Sequence, residues 1–300
     1  MALPNCCTFV LTLIRNVFLI YILLFSNSVS SKNQSDDINV STIHTQSIGL
    51  FLKYISENDR RFTPEHILAL NDESQMEELG SDILSLGIGN KPLWFTFNIV
   101  NDESIKSTRY FVLDNSWLDH IDVYFYHNSQ LIKQSSLGDS YVFSEREMNT
   151  RFFSIPIELN QGVTSVVFRI ETYDPINVPL YLYAEKQLFD KIQSEYFSYG
   201  FLYGAVISLL LYNFLVFISL KDARYFYYVV FLSLFFVMNF SYTGHGFQWF
   251  WPNNTGWQMW SGITTTILFS ASSLIFSRKF LNLKRDYPRL DTSLIILNVV

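Results

Sequence analysis

The chain has 300 residues, of which 49% are hydrophobic, 17% aromatic and only 16% charged. This composition excludes a disordered or collagen-like protein, and a net charge of −6 without a cluster of Lys and Arg excludes nucleic acid as an expected partner. Both cysteines, Cys6 and Cys7, are near the N-terminus, so no disulfide framework or cysteine-based metal site is expected further along. Of the 27 acidic residues, 24 lie between positions 26 and 196, so an acidic polar block is followed by an apolar block.

The first 30 residues predict a secretory signal peptide. The apolar run Val17–Phe25 follows Arg15 and precedes small and polar residues, so cleavage is expected after Ser30. The alternative is an uncleaved anchor helix, because residues 9–25 would be apolar for about 17 positions without Arg15, near the lower limit for a membrane span. In both alternatives the residues after position 30 are exported. Residues 31–47 are polar and aperiodic, which predicts a flexible lead-in.

Residues 48–195 predict an exported all-β domain, a jelly-roll-like sandwich of short strands. Leu93, Phe95 and Phe97 alternate with their neighbours in the pattern of a strand with one buried face. The same alternation recurs at 121–126, 152–159, 166–170 and 180–182, with turn residues between the runs. Pro156 places its strand at a sheet edge. A single short helix is expected near 64–70, capped by Thr63 and opened by Pro64.

Residues 197–300 predict membrane helices. Three uncharged stretches, 197–220, 225–243 and 261–277, are long enough to cross a bilayer, whereas 290–300 begins a fourth and is too short. Lys and Arg follow the first and third stretches but are absent from the 244–260 loop, so the positive-inside rule places the β domain outside. We therefore expect a multi-pass protein of the bacterial inner membrane with residues 31–196 in the periplasm. A fourth span would run outward, so the chain is expected to be truncated.

The sequence carries no motif for catalysis, for a cofactor or for a metal ion. The five histidines show no metal-ligand spacing and are expected to be solvated or to act as caps. Asp119 and Asp122 are expected on the solvent side of strands, and Glu195 at the membrane interface. Four tryptophans of the outer loop are expected to form an aromatic belt at the headgroups rather than a ligand cage. The protein is not expected to be an enzyme.

The order of several short motifs carries a resemblance. They are residues 89–97 (GNKPLWFTF), Gly138-Asp139, 143–146 (FSER), 151–153 (RFF), Tyr199-Gly200, 212–214 (YNF), 221–228 (KDARYFYY) and 246–252. In this order the chain resembles the bacterial seven-transmembrane receptors with diverse intracellular signalling modules, over roughly residues 48–300. It departs from the family pattern at Leu93, where an aromatic residue is common, and the last spans and any output module are missing.

The resemblance implies a jelly-roll sandwich likened to carbohydrate-binding modules, a seven-helix transducer and an intracellular output such as a diguanylate cyclase or histidine kinase. We therefore predict a sensor whose exported domain binds a carbohydrate or small acid and signals through its membrane helices. An aromatic face beside branched polar and charged hydrogen-bonding groups suits such ligands. The predicted ligand-binding residues are therefore Trp94, Asn98, Asp139, Arg146 and Arg151. Alternatively, Arg146 and Arg151 pair with Asp139 and only fix the loop before a strand.

Two other functions stay open. The exported domain of an adaptor would bind another exported protein and no small molecule. An enzyme acting on exported glycans is disfavoured, because no pair of catalytic carboxylates is evident. The expected partners are therefore membrane lipid, an exported ligand or protein, and a second copy of the chain.

Overall fold

The computed structural model describes residues 37–41, 47–57, 61–73, 75–88 and 91–299, with side chains as far as residue 294. The predicted signal peptide and most of the predicted lead-in lie outside the described residues, as do the first two positions of the 89–97 motif.

The described part of the β domain forms two facing sheets and a short strand pair. The large sheet has the order β3-β2-β5-β10-β7-β8, with β1 parallel to β5, and the small sheet has the order β12-β6-β9; β11 pairs with β4. The strands are β1 (Asp37–Asn39), β2 (Lys53–Ser56), β3 (Glu77–Glu78), β4 (Leu84–Ser85), β5 (Leu93–Asn101), β6 (Ser107–Leu113), β7 (His120–His127), β8 (Gln130–Leu137), β9 (Phe153–Leu159), β10 (Gly162–Glu171), β11 (Asn177–Val178) and β12 (Leu180–Tyr183).

Aromatic side chains fill the space between the two sheets. Phe95 and Phe168 stack across β5 and β10 with ring centroids 4.7 Å apart, and Phe111 of the small sheet meets Phe168 edge-on at 5.5 Å. All three side chains are fully buried, together with aliphatic residues from both sheets. The sandwich predicted from the alternating pattern is confirmed. Pro156 lies in β9, an edge strand, as predicted.

Each sheet also has its outer face covered by a helix. Helix α1 (Pro64–Asp72) begins at Thr63, whose hydroxyl accepts from the His66 amide at 3.3 Å, so the predicted capped helix is confirmed. It packs Ile67 onto Trp94 and Val167 of the large sheet. On the small sheet, Leu188 and its neighbours from the next helix cover Val112 and Phe152.

The membrane part is helical. Its elements are α2 (Glu185–Leu220), α3 (Ala223–Tyr242), α4 (His245–Trp249), α5 (Thr255–Phe280), α6 (Leu283–Asp286) and α7 (Pro288–Val299). Three of them, α2, α3 and α5, are long and apolar enough to cross a membrane. Helix α2 starts at Glu185, well before the uncharged stretch, so it belongs to both parts of the molecule. Lys221 ends it in the left-handed conformation, with φ 50°.

Two polar residues differ from the expectation that they face solvent. Asp119 is 6% exposed and accepts hydrogen bonds from Thr172 Oγ1 and the Tyr173 amide, both at 2.8 Å. It immediately precedes β7 rather than lying on the open face of that strand. His245, expected to be solvated or to cap, is 1% exposed among aromatic rings at the outer ends of the membrane helices.

Candidate functional site

The β domain rests directly on the outer ends of the membrane helices. We call this contact the junction: it comprises residues 114–119 and 138–152 of the β domain, and Lys191, Glu195 and 241–258 of the helical part. Trp117 Nε1 donates to the Tyr242 carbonyl at 3.1 Å, and the Phe143 amide donates to the Pro252 carbonyl at 2.8 Å. Gln248 Nε2 donates to the Asn149 carbonyl at 3.2 Å. Hydrogen bonds therefore tie several separate segments of the two parts together.

A network of four charged side chains fixes α2 to the β domain. Arg151 donates to both oxygens of Glu195, at 2.9 and 2.8 Å, and to Asp114 at 3.1 Å. Lys191, one turn before Glu195 on α2, pairs with Asp114 at 2.8 Å and with Glu195. All four side chains are between 14% and 21% exposed, so water screens the attraction within these pairs less than in surface ion pairs, and removing one partner leaves a poorly solvated charge.

Arg146 lies inside the junction and forms no ion pair with a carboxylate among the residues that the structure describes. Its Nη1 donates to the carbonyls of Thr150 and Arg151, at 3.1 and 2.8 Å, and its guanidinium lies 4.5 Å from the centroid of Phe153. The ring of Phe247, from α4, lies 5.6 Å from the same guanidinium. The cation therefore contacts aromatic rings of both the β domain and the helical part. Burial lowers the pKa of Arg146 to about 9, which still leaves it charged at neutral pH.

Asp139 faces α5 at the edge of the junction. Gln258 Nε2 is its hydrogen-bond donor, at 3.4 Å, and the carboxyl is 5% exposed. Burial, followed by the neighbouring charge of Asp119, raises the pKa of Asp139 to about 7. The group therefore changes charge near neutral pH at the point where the β domain contacts a membrane helix.

Gly244 brings the backbone before α4 close to Ser116 of the β domain. It has φ 83°, and a Cβ atom there would come within 2.7 Å of the Ser116 side chain. The next residue, His245, accepts or donates through Nδ1 to the Tyr203 and Thr243 hydroxyls, at 3.0 and 2.9 Å. Burial lowers the pKa of His245 to about 4, so it is neutral at physiological pH.

The structure divides the five predicted ligand residues into two groups. Asp139, Arg146 and Arg151 come together in the junction. Trp94 and Asn98 lie on β5, on the outer face of the large sheet; Trp94 is 2% exposed beneath α1, and Asn98 bonds to Asp37 and Ser165. The pairing of Arg146 and Arg151 with Asp139 is wrong, because Arg151 binds Glu195 and Asp114 and Arg146 binds carbonyls and rings. The arginines nevertheless fix the loop before β9.

Several residues in or beside the junction were not predicted from the sequence: Asp114, Trp117, Asp174, Lys191 and Gln258. Gln258 gave a usable signal, since an amide near the start of an otherwise apolar helix needs a polar partner. The other four resemble ordinary surface residues in the sequence.

Two family models match the chain in succession. The one described as 7TMR-DISM extracellular 2 matches residues 49–184, and the one described as 7TM diverse intracellular signalling matches residues 195–300. None of the curated proteins compared with the sequence matches it.

Three solved structures are similar to about a third of the chain. A family 35 carbohydrate binding module from Clostridium thermocellum is 15% identical over 33% of this chain and 85% of its own, with a TM-score of 0.22. One from an environmental isolate is 13% identical over 33% of this chain and 69% of its own, with a TM-score of 0.21. An exo-beta-1,3-galactanase from Phanerochaete chrysosporium is 16% identical over 34% of this chain and 26% of its own, with a TM-score of 0.20.

The fold and the junction define a membrane protein with an extracellular β sandwich standing on its membrane helices. The chain belongs to the seven-transmembrane receptors with diverse intracellular signalling modules, of which it carries the extracellular domain and a membrane domain.

Proposed function

We propose that the protein is a sensor of the bacterial inner membrane, in which the β domain responds to an exported ligand and passes its state to the membrane helices. The observation that supports this most strongly is the continuity of α2. Its first turns bury Leu188 against the small sheet, and the same helix continues to Leu220 without a break. A movement of the sandwich therefore cannot occur without moving α2 or breaking its contacts.

The charged network supports the same proposal. A receptor needs two arrangements that a ligand can favour differently, and an element shared by both domains is the physical means of coupling them. Arg151 of the β domain and Lys191 of α2 each form ion pairs with two carboxylates. One of these carboxylates, Asp114, belongs to the β domain, and the other, Glu195, belongs to α2.

Distance measurements on the full chain in lipid nanodiscs test the proposal. Spin labels are placed by Ser129→Cys in the β7–β8 turn and Lys221→Cys at the inner end of α2, with Cys6 and Cys7 replaced by serine. Neutral monosaccharides and small carboxylates are the probes. We expect at least one probe to raise the melting temperature and to shift the distance between the labels.

The double variant Arg151→Gln, Glu195→Gln serves as the uncoupled protein, in which the probe should still bind but shift the distance less. Arg169→Gln, Glu57→Gln is the matched control, because that pair, at 2.8 Å, lies outside the junction. A probe that stabilises the protein without changing the distance would contradict coupling. No response to any probe would contradict a small-molecule sensor and favour the adaptor.

A further inference from the structure

A cavity of about 320 Å³ opens beside the junction, between the β domain and helices α3 and α5. We call it the junction pocket. Its polar walls include Trp117, Asp139, Asp174 and Gln258, and its apolar walls include Ile263 and Ile267. At 1.5 Å per residue, Ile267 lies roughly 13 Å further along α5 than Gln258. The pocket therefore extends from the β domain along a helix that is long and apolar enough to span a membrane.

The polar end of the pocket holds two carboxyl groups that form no ion pair within the described residues. Among the described residues, neither Asp139 nor Asp174 has a basic partner within 4.0 Å, and no described hydrogen-bond donor reaches the Asp174 carboxylate. Asp174 is half-buried, and Asp139 keeps its single long bond from Gln258. A carboxylate removed from water is costly unless it is neutralised or paired. The pocket thus favours a positively charged occupant.

The residues that line the pocket favour an organic cation over a metal ion. Within the described residues, no group of three metal-ligating side chains is placed to hold a metal ion. Instead, Trp117 and Tyr242 contribute aromatic rings, with centroids 4.9 Å apart, and such faces attract organic cations. The isoleucines are 54% and 62% exposed, so they offer apolar surface to a chain attached to that cation.

We propose that the junction pocket binds an organic ammonium ion that carries an apolar chain, with the ammonium between Asp139 and Asp174 and the chain along α5. The ammonium can belong to a free amphiphilic amine or to the headgroup of an aminolipid. Occupancy would add contacts between the β domain and α5, so the pocket deepens the proposed function; binding itself does not depend on signalling.

Gly262 provides a direct way to fill the pocket. It lines the cavity, and a Cβ atom added there meets no atom within 4 Å. Gly262→Leu therefore fits the helix, where leucine is also the better helix former, and places a side chain where the ligand chain would lie. This variant blocks the pocket without touching its carboxylates.

Calorimetric titration of the full chain tests the proposal, in nanodiscs of phosphatidylglycerol with empty nanodiscs as the baseline. Hexylamine is the probe and hexanol its neutral counterpart. We expect saturable binding of hexylamine and none of hexanol. Asp174→Asn should weaken binding at least tenfold, Gly262→Leu should abolish it, and the exposed Asp190→Asn, outside the pocket, should leave it unchanged.

The charge of Asp139 adds a pH dependence. It is faced by the carboxylates of Asp119 and Asp174 and by the guanidinium of Arg146, and burial with the two carboxylates raises its pKa to about 7. Hexylamine stays charged in this range, so its binding should be several-fold tighter at pH 8 than at pH 6, where Asp139 is largely neutral.

Equal binding of hexanol, no heat above the empty nanodiscs, or full affinity in Asp174→Asn would overturn the proposal. Weaker binding in nanodiscs containing phosphatidylethanolamine would identify the headgroup as a competing natural occupant, whereas unchanged affinity would favour a free amine; both results support an ammonium site. The distance between the spin labels reports coupling separately, so loss of binding and loss of signalling are distinguishable.

Discussion

Arg151, in the loop before β9, and Glu195, in α2, form a two-point ion pair across the boundary between the exported domain and the membrane helices. The guanidinium donates one hydrogen bond to each oxygen of the carboxylate, in the planar arrangement that makes such pairs strong and directional. Because Lys191, one turn earlier on the same helix, also pairs with Asp114 of the β domain, two contacts one turn apart hold α2 against that domain.

Arg151→Gln should lower the stability of the junction. It leaves Glu195 and Asp114 with Lys191 as their remaining cation, and hydrogen bonds to charged groups are worth about 2 kcal/mol each. We expect a fall of several degrees in the melting temperature in nanodiscs. Adding Glu195→Gln should recover part of the loss, since the unpaired carboxylate is then removed; a further additive loss would show that the two side chains are not coupled.

Arg146→Ala should destabilise the protein rather than weaken ligand binding selectively. The guanidinium is buried among the rings of Phe143, Phe153 and Phe247, so its removal leaves a cavity and two carbonyls without a donor. We expect a loss of about 2–4 kcal/mol, measured as the shift in chemical denaturation of the β-domain signal. An unchanged midpoint with weaker probe binding would instead restore Arg146 as a ligand contact.

Asp139→Asn should be more stable than the parent chain at pH 8 but not at pH 4. The pKa of Asp139 is about 7 in the folded protein and near 3.8 in the unfolded chain, so the folded state binds the extra proton between these values. The Asp139 carboxyl makes its full contribution to the free energy of unfolding below pH 4. This contribution falls, by a few kcal/mol at most, as the pH rises towards 7. His245 has the opposite dependence and is common to both proteins, so it cancels in the difference.

The measurement is the difference in melting temperature between Asp139→Asn and the parent at several pH values. A constant difference would show that Asp139 does not titrate in this range.

Gly244→Ala should disrupt the junction for two separable reasons. Its φ of 83° costs about 1 kcal/mol in a residue with a Cβ, and the new methyl group overlaps Ser116 at 2.7 Å. Ser116→Gly combined with Gly244→Ala removes the overlap but not the backbone cost, so it should recover part of the stability. Melting temperatures of both variants, with Ser116→Gly alone as the control, check this; equal losses with and without Ser116 would exclude the overlap.

The topology can be tested with a reporter enzyme that is active only outside the cytoplasm. It should be active when fused after Glu185 and inactive when fused after Lys284, because Arg278, Lys279 and Lys284 mark the inner side. The reverse result would place the β domain inside the cell and contradict a receptor.

Local patterns in the sequence predicted much of the fold. The alternation at Leu93, Phe95 and Phe97 identified the buried face of β5, and Thr63 with Pro64 identified the start of α1, because both signals depend on neighbours only a few residues away. The same alternation placed Trp94 on the opposite face and therefore in contact with ligand. That inference did not anticipate that α1, from a distant part of the chain, covers this face.

The junction could not be predicted for the same reason. Arg151 and Glu195 are 44 residues apart, and Asp139 and Gln258 are 119 apart. Periodicity shows which residues are charged and which face of an element is apolar, but the partner of a charge depends on how the elements meet. Asp119 illustrates this, since the two hydrogen bonds that allow its burial come from the turn after β10.

In the proposed signalling, the length of α2 would turn small motions of the sandwich into a large displacement at the far end of the helix. Its 36 residues span roughly 54 Å at 1.5 Å per residue, and its first turns pack against the β domain. In the proposed coupling, the helix would act as a lever that pivots at the small sheet. A tilt of about 5°, the size of a modest repacking at a domain contact, would displace Leu220 by roughly 5 Å, one helical turn's height, at the Lys221 turn on the opposite side of the bilayer.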